Sequence, residues 1–341
     1  MKVLNAVHAQ GVGGVNQVFQ DYTKTLKDCG FEVACLISDN GFDNYKCDKL
    51  YKLKNRSQFF DLLRLYFIIL RFNPDVVICH SARVMSWLKI LKPFTKCKSV
   101  AVNHGISFKK SLRCDYIINI NDEINELVVN SGFDKTKSFI INNAIEINQE
   151  YRAKKIEKKL KLGIYGRYEK RKGFDIFFKA ASLLKDCDFD LEFKIGGFAT
   201  QESWSLEDLK GFAKDAGVYD VCEFYGLVKD KKDFFSDVDI FVVPSIEEPF
   251  GIVILEGFLH STLVVSSDTD GGKLIIRNGE NGFLFKNQNA EDLAIKVKAA
   301  IENKDNYVNY TKRAYDDLEE KFSCEVLSKN LSEILYKILK N

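Results

Sequence analysis

Two carboxylates in the stretch PSIEEPFGIVILEG, residues 244–257, are placed where they could do chemistry. Glu248 precedes a run of seven uncharged residues, and Glu256 follows it. A buried ionised carboxylate is costly unless it has a partner, so charge is seldom placed in such a run for stability alone. The pattern therefore indicates that both carboxylates bind something. We interpret the neighbouring Glu247 as a solvated acid of the loop.

A second group of candidates lies in GRYEKRKGFD, where four cations precede a predicted helix: Arg167, Lys170, Arg171 and Lys172. The helix dipole repels cations at a helix N-terminus. A bound diphosphate would remove this conflict, because arginine can bind phosphate bidentately and lysine can act as a point charge. We interpret Lys170 and Arg171 as solvated charges, which leaves Arg167 and Lys172 as candidates for phosphate binding.

Glycines follow the first predicted strand in HAQGVGGVNQ and precede a helix, at Gly11, Gly13 and Gly14. Such glycines let backbone N–H groups approach a phosphate at the positive end of a helix. A dinucleotide fingerprint would require another glycine where Asn16 stands, so the pattern disfavours a dehydrogenase. An ordinary tight turn remains the alternative.

These loops must be positioned by a regular framework. Short β-rich runs alternate with amphipathic helical runs along most of the chain, which is typical of parallel sheets covered by helices. A polar, lysine-rich stretch interrupts the alternation, and the sequence predicts two domains on either side of it. The expected boundaries are 1–148 for the first domain, 149–160 for a linker, 161–322 for the second domain and 323–341 for a final helix. Ligands of such sheets bind at the carboxyl ends of the strands.

The composition excludes several classes of protein. With 341 residues, 46% hydrophobic and 29% charged, the chain is expected to be globular rather than disordered or fibrous. Nine cysteines without a Cys-x-x-Cys pair favour reduced thiols in a cytosolic protein over a disulfide framework or a zinc site. The first residues are too polar for a secretory signal. The apolar stretch from Phe59 contains Asp61, Arg64 and Arg71, so it is not expected to span a membrane.

Positive charge is concentrated in one part of the chain. Residues 49–113 contain fourteen lysines and arginines but only two acids, which favours an anionic partner. Three of these lysines, at positions 89, 92 and 96, lie at helical spacing beside Trp87, Leu88, Leu91 and Phe94, a mixture typical of a helix on a lipid surface. A solvated basic face over a core remains the alternative. Nucleic acid is disfavoured because no binding motif accompanies the charge.

The motifs together resemble the retaining, nucleotide-sugar-dependent glycosyltransferases of family 4, whose GT-B fold has two facing Rossmann-like domains. The family pattern Gly-Arg-Leu followed by Lys-Gly stands here as GRYEKRKG, with Tyr168 in place of leucine. The family Glu-x7-Glu signature stands as EPFGIVILE. Weaker matches are GGVNQ, CHSARV, NHGIS and INNAIE. Departures from the family pattern are Ala144 in place of a glycine and Ser261-Thr262-Leu263 in place of Gly-x-Pro.

The resemblance implies a role for each matched residue. Arg167 and Lys172 would bind the donor diphosphate, Glu248 would lie by the donor sugar and Glu256 would bind the ribose. The backbone amides of Phe250 and Gly251, at a helix start with Pro249 as its first residue, would face the sugar or phosphate. Gly13 and Gly14 are further donor-binding candidates, and His104 would reach the transferred sugar. His8 and His80 are candidates on the acceptor side.

The implied reaction transfers a sugar, with retention, from a nucleoside-diphosphate sugar to a saccharide or lipid-linked acceptor, as in cell-envelope polysaccharide or lipopolysaccharide synthesis. Neither a metal ion nor a cofactor is expected. UDP-sugars are the first choice of donor, and GDP- and ADP-sugars are the alternatives. The resemblance places the acceptor on the first domain and the donor on the second, with the final helix crossing back to the first. A cytoplasmic protein, peripheral on the membrane, is expected. The rival functions are a GT-B nucleotide-sugar epimerase and a catalytically silent subunit that binds nucleotide sugars.

Overall fold

The structure is a computed structural model that describes residues 1–8, 14–38, 45–54, 57–185, 187, 189–200 and 203–340. It divides into two compact units. The first comprises Met1–Glu146 together with Phe322–Asn341, and the second comprises Ile147–Lys321. The final helix thus belongs with the first unit, although the chain reaches it only after completing the second.

The described part of the first unit contains a seven-stranded sheet in which all paired strands are parallel. The inner strands are nearly continuous runs of buried valine, isoleucine and leucine, as expected for a sheet covered on both faces. The strands are β1 (Lys2–Ala6), β2 (Glu32–Ser38), β3 (Lys49–Leu53), β4 (Val76–Cys79), β5 (Lys98–Asn103), β6 (Tyr116–Asn119) and β7 (Ser138–Ile140). Their spatial order is β3-β2-β1-β4-β5-β6-β7.

Helices cover this sheet. They are α1 (Gly14–Asp28), α2 (Gln58–Phe72), α3 (Ala82–Leu91) and α4 (Asp122–Asn130), joined by the final helix, which is numbered α12 below. In α3 the side chains of Trp87, Leu88 and Leu91 are buried in the core. The expectation that these three residues face a lipid surface is therefore wrong, because their apolar side packs inward. Phe94, which follows α3, is exposed.

The described part of the second unit contains a six-stranded parallel sheet with the order β10-β9-β8-β11-β12-β13. Its strands are β8 (Leu160–Arg167), β9 (Leu191–Phe198), β10 (Cys222–Gly226), β11 (Ile240–Val243), β12 (Leu263–Ser267) and β13 (Phe283–Phe285). Its helices are α5 (Phe174–Lys185), α6 (Leu206–Asp215), α7 (Lys231–Ser236), α8 (Ile252–Leu259), α9 (Asp270–Ile275), α10 (Ala290–Glu302) and α11 (Tyr307–Phe322). The last helix, α12 (Cys324–Lys340), packs against α1, where Cys29 Sγ lies 3.0 Å from Ser328 Oγ.

The segment between the two sheets is attached to the second unit by side-chain hydrogen bonds. The Lys154 ammonium donates to the carbonyl oxygens of Phe235 and Val238 at 2.6 and 2.8 Å, and it also contacts Thr262 Oγ1. Burial lowers the pKa of Lys154 to about 8. The Tyr151 hydroxyl lies 2.9 Å from Thr311 Oγ1. Residues 151–157 have no regular secondary structure and are held in place by these contacts.

Strand order reverses at one point in each sheet, between β1 and β4 in the first unit and between β8 and β11 in the second. In open parallel sheets, ligands bind beyond the carboxyl ends of the strands at such a switch point. His8 and His80 lie just past β1 and β4, whereas Arg167 ends β8 and the Glu248 loop follows β11. The topology thus brings the candidate residues of each unit to its switch point. Every helix in the described residues is too short or too polar to cross a bilayer.

Candidate active site

The loop after β8 packs against the residues that follow β11. A single 3-10 turn, Lys170–Lys172, is followed by Gly173 at φ +71°. A Cβ atom on Gly173 would lie 1.9 Å from the carbonyl oxygen of Pro244. The backbone amide of Ile246 donates to the Arg171 carbonyl oxygen at 2.8 Å. Only glycine fits here, because both the left-handed backbone and the close approach exclude a side chain.

This contact brings together Lys172 and Glu248, two residues that the sequence singles out in different motifs. The Lys172 ammonium lies 2.6 Å from Glu248 Oε2, and both side chains are largely buried. Ser245 Oγ donates to the same carboxylate oxygen at 3.4 Å. An ammonium group has three N–H donors, and Glu248 occupies one of them. The pair is neutral overall, but it holds an ammonium group with further N–H donors in a fixed position at the switch point of the second unit.

Arg167 is positioned by an acid that the sequence analysis does not single out. Glu169 Oε1 lies 2.9 Å from Arg167 Nη1, and Glu169 Oε2 lies 2.6 Å from Arg171 Nε. Arg171, which the sequence analysis assigns to solvent, is thus part of a local ion-pair triad. The signal for Glu169 is its position among four cations. Tyr168, which replaces the family leucine, is buried against Phe174.

The start of α8 faces the same region, but it begins later than the sequence suggests. Gly251 is the N-cap residue at φ +97°, and Ile252 is the first helical residue. The expectation that Pro249 is the first residue of the helix is therefore wrong, because the left-handed Gly251 interrupts the backbone after it. Gly251 has no side chain to accept from the first amides of the helix. Those amides are positioned to donate hydrogen bonds to a bound anion.

The first turn of α9 supports the Glu248 backbone. The amide of Gly271 donates to the Glu248 carbonyl oxygen at 2.9 Å. A Cβ on Gly271 would lie 2.1 Å from the carbonyl oxygen of Phe250, so this helical turn packs directly on the segment before α8. Phe250 itself is buried. Glu247 is exposed, as expected of a solvated loop acid.

Glu256 lies inside α8 and is only 4% exposed. One carboxylate oxygen, Oε1, pairs with the ammonium of Lys231 at the start of α7. The other, Oε2, is buried and has no hydrogen-bond partner among the described residues. Burial raises the pKa of Glu256 above its usual range, whereas the paired Lys231 ammonium favours the ionised carboxylate. A buried carboxylate oxygen without a partner is an unused hydrogen-bond acceptor.

The sequence analysis does not identify Lys231, although a signal for it exists. Lys231 is the first residue of a helix, where a cation opposes the helix dipole. The same conflict marks residues 170–172, where it led to Lys172. Within the part of the chain that the structure describes, no three His, Cys, Asp or Glu side chains come together as a group that could hold a metal ion.

The candidate histidines of the first unit lie at the ends of adjacent strands. His80 follows β4, His104 follows β5, and His80 Nδ1 lies 3.1 Å from His104 Nε2. His8 follows β1; its backbone amide donates to Ser81 Oγ, and its Nε2 lies 3.1 Å from Arg83 Nη1. Gly13 lies outside the described residues, and Gly14 is the first residue of α1.

The environment of the two histidines indicates which tautomers they adopt. The His80 ring is 4% exposed, packs edge-on against Phe19 and Tyr22, and leaves its Nε2 without a partner among the described residues. A buried donor without an acceptor costs more than a bare lone pair. His80 is therefore best protonated at Nδ1, donating to His104 Nε2. Burial lowers the pKa of His80 well below its usual range and that of His104 to about 4.

These lowered pKa values predict that the first unit loses stability as the pH falls from about 7 to about 5. The unfolded histidines take up protons near their usual pKa of about 6.5, whereas the folded rings stay neutral, so the free energy of unfolding falls with a slope that approaches about 1.4 kcal/mol per pH unit for each histidine below a pH of about 6. Urea titrations in a Trp204→Phe background would measure this, since Trp87 then remains as the only tryptophan. His104→Asn should make the dependence shallower. Equal slopes in the two proteins would contradict the prediction.

Comparison with known proteins places this geometry in context. The family model described as "Glycosyl transferases group 1" matches residues 147–317, half of the chain. The lipopolysaccharide core biosynthesis glycosyltransferase LpsE of Rhizobium meliloti is 29% identical over 170 residues, which cover 50% of this chain and 48% of LpsE.

A Campylobacter jejuni N,N'-diacetylbacillosaminyl-diphospho-undecaprenol alpha-1,3-N-acetylgalactosaminyltransferase is 26% identical over 242 residues, which cover 70% of this chain and 61% of that protein. The matches thus span less than two thirds of either relative. Among solved structures, Anabaena HepE in complex with UDP and glucose aligns with a TM-score of 0.84 and 17% identity, covering 99% of this chain and 100% of HepE. That likeness shows the fold, which is GT-B. By the family match, the chain belongs to the glycosyl transferases of group 1.

Proposed function

We propose that this chain transfers a sugar from a nucleoside-diphosphate sugar to a saccharide or lipid-linked acceptor, with retention of anomeric configuration. One observation carries the proposal: at the switch point of the second unit, the buried Lys172–Glu248 pair lies in the contact between the β8 and β11 loops. The Lys172 ammonium fixed there, together with the uncapped start of α8, can donate hydrogen bonds to a diphosphate.

The proposed roles assign different residues to the diphosphate, the sugar and the ribose of one nucleotide sugar. Lys172 and Arg167 bind the diphosphate, the first amides of α8 and Glu248 lie by the sugar, and Glu256 Oε2 accepts from a ribose hydroxyl. Glu248 lies in the loop before α8 and pairs with Lys172, whereas Glu256 lies inside α8 and pairs with Lys231, so the two carboxylates are not proposed to flank one bond as those of a glycosidase do. They contact different parts of one long donor.

The proposed reaction breaks the bond between the sugar C1 and the diphosphate oxygen and forms a bond from C1 to the acceptor oxygen on the same face. The acceptor hydroxyl gives its proton to the departing phosphate oxygen. Negative charge grows on the leaving diphosphate as the bond breaks, and the cations of Lys172 and Arg167 stabilise it more in the transition state than in the ground state. In this scheme neither a metal ion nor a cofactor takes part.

We propose that His104 contacts the transferred sugar and that His80 orients it, since the buried His80 ring faces His104 at hydrogen-bond distance. His8 is our candidate for acceptor contact. UDP-sugars are the first choice of donor, supported by the UDP and glucose bound to the structurally similar HepE. The names of LpsE and the Campylobacter enzyme support lipopolysaccharide or lipid-linked glycan synthesis as the setting.

The test is an assay of sugar transfer across UDP-, GDP- and ADP-sugars, with and without EDTA, and with NMR assignment of the product's anomeric configuration. We expect one nucleotide class to be consumed, transfer to an added acceptor with retention, and no loss with EDTA. Interconversion of donor sugars without an acceptor would favour an epimerase. Binding without turnover would favour a silent subunit, and a failure to bind any of these nucleotides would contradict the proposal.

Glu256→Gln tests the ribose contact. The substitution keeps the shape of the side chain but removes one acceptor oxygen and the charge paired with Lys231. We expect the dissociation constant of the nucleoside diphosphate to rise about tenfold, the effect of losing one hydrogen bond to a charged group. Isothermal titration calorimetry measures it. Glu247→Gln, at an exposed neighbouring acid, should leave the constant unchanged. Equal constants for Glu256→Gln and wild type would remove Glu256 from the nucleotide site.

A further inference from the structure

Helix α2 has two apolar faces, and only one of them is buried. Leu65, Ile68, Ile69 and Phe72 pack inward. A second set of apolar side chains points to solvent: Phe59, Phe60, Leu63, Phe67 and Leu70, with Phe60 66% and Phe67 63% exposed. At about 100° per residue these five positions fall within one arc of roughly 100°, opposite the buried arc. We refer to these five residues as the α2 stripe.

The α2 stripe continues onto the neighbouring helix. Tyr66 of α2 packs edge-on against Phe94, which follows α3, with ring centroids 6.5 Å apart. Phe94 is 65% exposed, and Ile90 of α3 is also exposed. A contiguous exposed patch of large apolar side chains on a folded protein marks a site of interaction with a partner or a membrane. Phe94, Ile90 and the α2 stripe together form one exposed apolar surface.

Cations border this surface. Arg64 and Arg71 lie on α2 beside the stripe. On the helical projection, counted from Phe59, the stripe covers about 0–100° and the two arginines lie at about 120–140°. Lys89 precedes Ile90 and is exposed, as is Lys96 just past Phe94. No acid lies on the exposed side of α2, because its single acid, Asp61, is buried. An apolar centre with a positive border complements the surface of a bilayer that contains anionic lipids. It does not complement a partner that lacks negative charge.

A groove opens beside the stripe, with a volume of about 610 Å³. One part of its lining is apolar, formed by Phe59, Leu62 and Ile90. Another part is polar and positive, with Arg83 and Lys110, and adjoins His8 at the switch point of the first unit. The groove therefore runs from the edge of the apolar surface towards the candidate acceptor side. Its lining suits an amphiphile whose head group carries a phosphate.

We propose that the α2 stripe seats the first unit on an anionic lipid bilayer and that the adjoining groove takes a phosphate-bearing acceptor from that bilayer. The proposal rests on the proposed function for the nature of the groove's ligand, whereas the seating on lipid stands independently of it. It replaces the surface expected from the sequence around Trp87, Leu88 and Leu91. The side chains that enter the lipid are those of α2, with Phe94 and Ile90.

Vesicle binding of the full chain tests the seating. The probes are vesicles of phosphatidylcholine alone and of phosphatidylcholine with phosphatidylglycerol, separated by sedimentation. We expect wild type to bind the mixed vesicles and to lose binding as salt is raised. The double variant Phe60→Gln/Phe67→Gln should bind the mixed vesicles at least about tenfold more weakly, because two exposed rings no longer enter the interface. Both residues lie outside the groove lining.

A matched control keeps the test specific. Leu227→Gln/Ile295→Gln also removes two exposed apolar side chains, both in the second unit, and should leave vesicle binding unchanged. No binding of wild type to mixed vesicles, or equal loss in both double variants, would overturn the proposal. Sedimentation velocity adds a further outcome: a wild-type dimer that Phe60→Gln/Phe67→Gln dissociates would show a second copy, not lipid, as the occupant.

Activity measurements separate this proposal from the proposed function. The Phe60→Gln/Phe67→Gln variant should hydrolyse the donor as wild type does, and it should transfer the sugar to a short water-soluble acceptor at the wild-type rate. It should lose transfer of the sugar to a lipid phosphate in mixed vesicles. Lys110→Gln should raise the KM for that lipid phosphate while leaving vesicle binding unchanged. A wild-type protein that binds vesicles but turns over no donor would refute the proposed function alone. An unchanged KM in Lys110→Gln would remove the groove from the proposal.

Discussion

Lys172→Ala should lower kcat/KM for the donor by about 10²- to 10³-fold, the range found when one preorganised group that stabilises developing negative charge is removed. Lys172 is held by Glu248 at 2.6 Å and is largely buried, so its charge is fixed before the donor arrives. Alanine removes that charge and leaves the Glu248 carboxylate without its cation, next to the position proposed for the sugar. Steady-state release of the nucleoside diphosphate measures the loss.

Three controls make this result interpretable. Lys170→Ala alters an exposed cation of the same turn and should have little effect. Lys172→Arg, which keeps the charge, should recover part of the activity. Because Glu248 and Lys172 form one pair, the Lys172→Ala/Glu248→Gln double variant should lose less than the sum of the two single losses, in free energy. Full additivity would show that the pair does not act as a unit. Full activity of Lys172→Ala would exclude Lys172 from the reaction.

Gly173→Ala should destabilise the second unit by about 3 kcal/mol or more, through left-handed strain and a direct clash. The glycine lies at φ +71°, and a Cβ would lie 1.9 Å from the carbonyl oxygen of Pro244, which belongs to the backbone and cannot rotate away. Either the loop separates from β11 or the unit unfolds more readily. Urea titration in a Trp87→Phe background measures the change, because Trp204 then reports on the second unit alone.

Gly279→Ala is the matched control for this prediction. Gly279 also has a left-handed backbone, at φ +79°, but apart from its chain neighbours no atom of the described residues lies within 4 Å of where its Cβ would be. It should cost about 1 kcal/mol, the strain of the backbone without the clash. If the two variants were equally stable, the close approach of the β8 and β11 loops would not contribute to stability. Gly173→Ala should also reduce donor turnover, because the same approach positions Lys172 against Glu248.

The fold follows from the sequence where hydrophobic runs are strong. Strands such as Val76–Cys79 and Ile240–Val243 are continuous apolar runs, and they alternate with amphipathic helices, so the two parallel sheets are predictable. Strand β3 is not identified, because its sequence, KLYKL, carries two lysines. It pairs with β2 at the edge of the sheet, where charged side chains can remain in solvent.

The candidate site is predictable only in part. Periodicity and motif spacing place Lys172 and Glu248 on two loops at strand ends, but their meeting depends on the strand order that puts β8 beside β11, which the sequence does not state. Partners such as Lys231 and Glu169 look like ordinary surface charges until the fold brings them to a carboxylate or an arginine. Pro249 is a case in which local sequence preference misleads. Proline favours the first position of a helix, but the left-handed Gly251 delays the start of α8 to Ile252.

The most direct test of the proposed function is a crystal structure of the wild-type chain soaked with a UDP-sugar, or with the nucleotide that the donor panel selects. We expect the diphosphate within hydrogen-bond distance of Lys172 and the first amides of α8, and a ribose hydroxyl donating to Glu256 Oε2, which has no partner among the described residues. A nucleotide bound away from the switch point between β8 and β11, or one that leaves both Lys172 and Glu256 untouched, would contradict the proposed function.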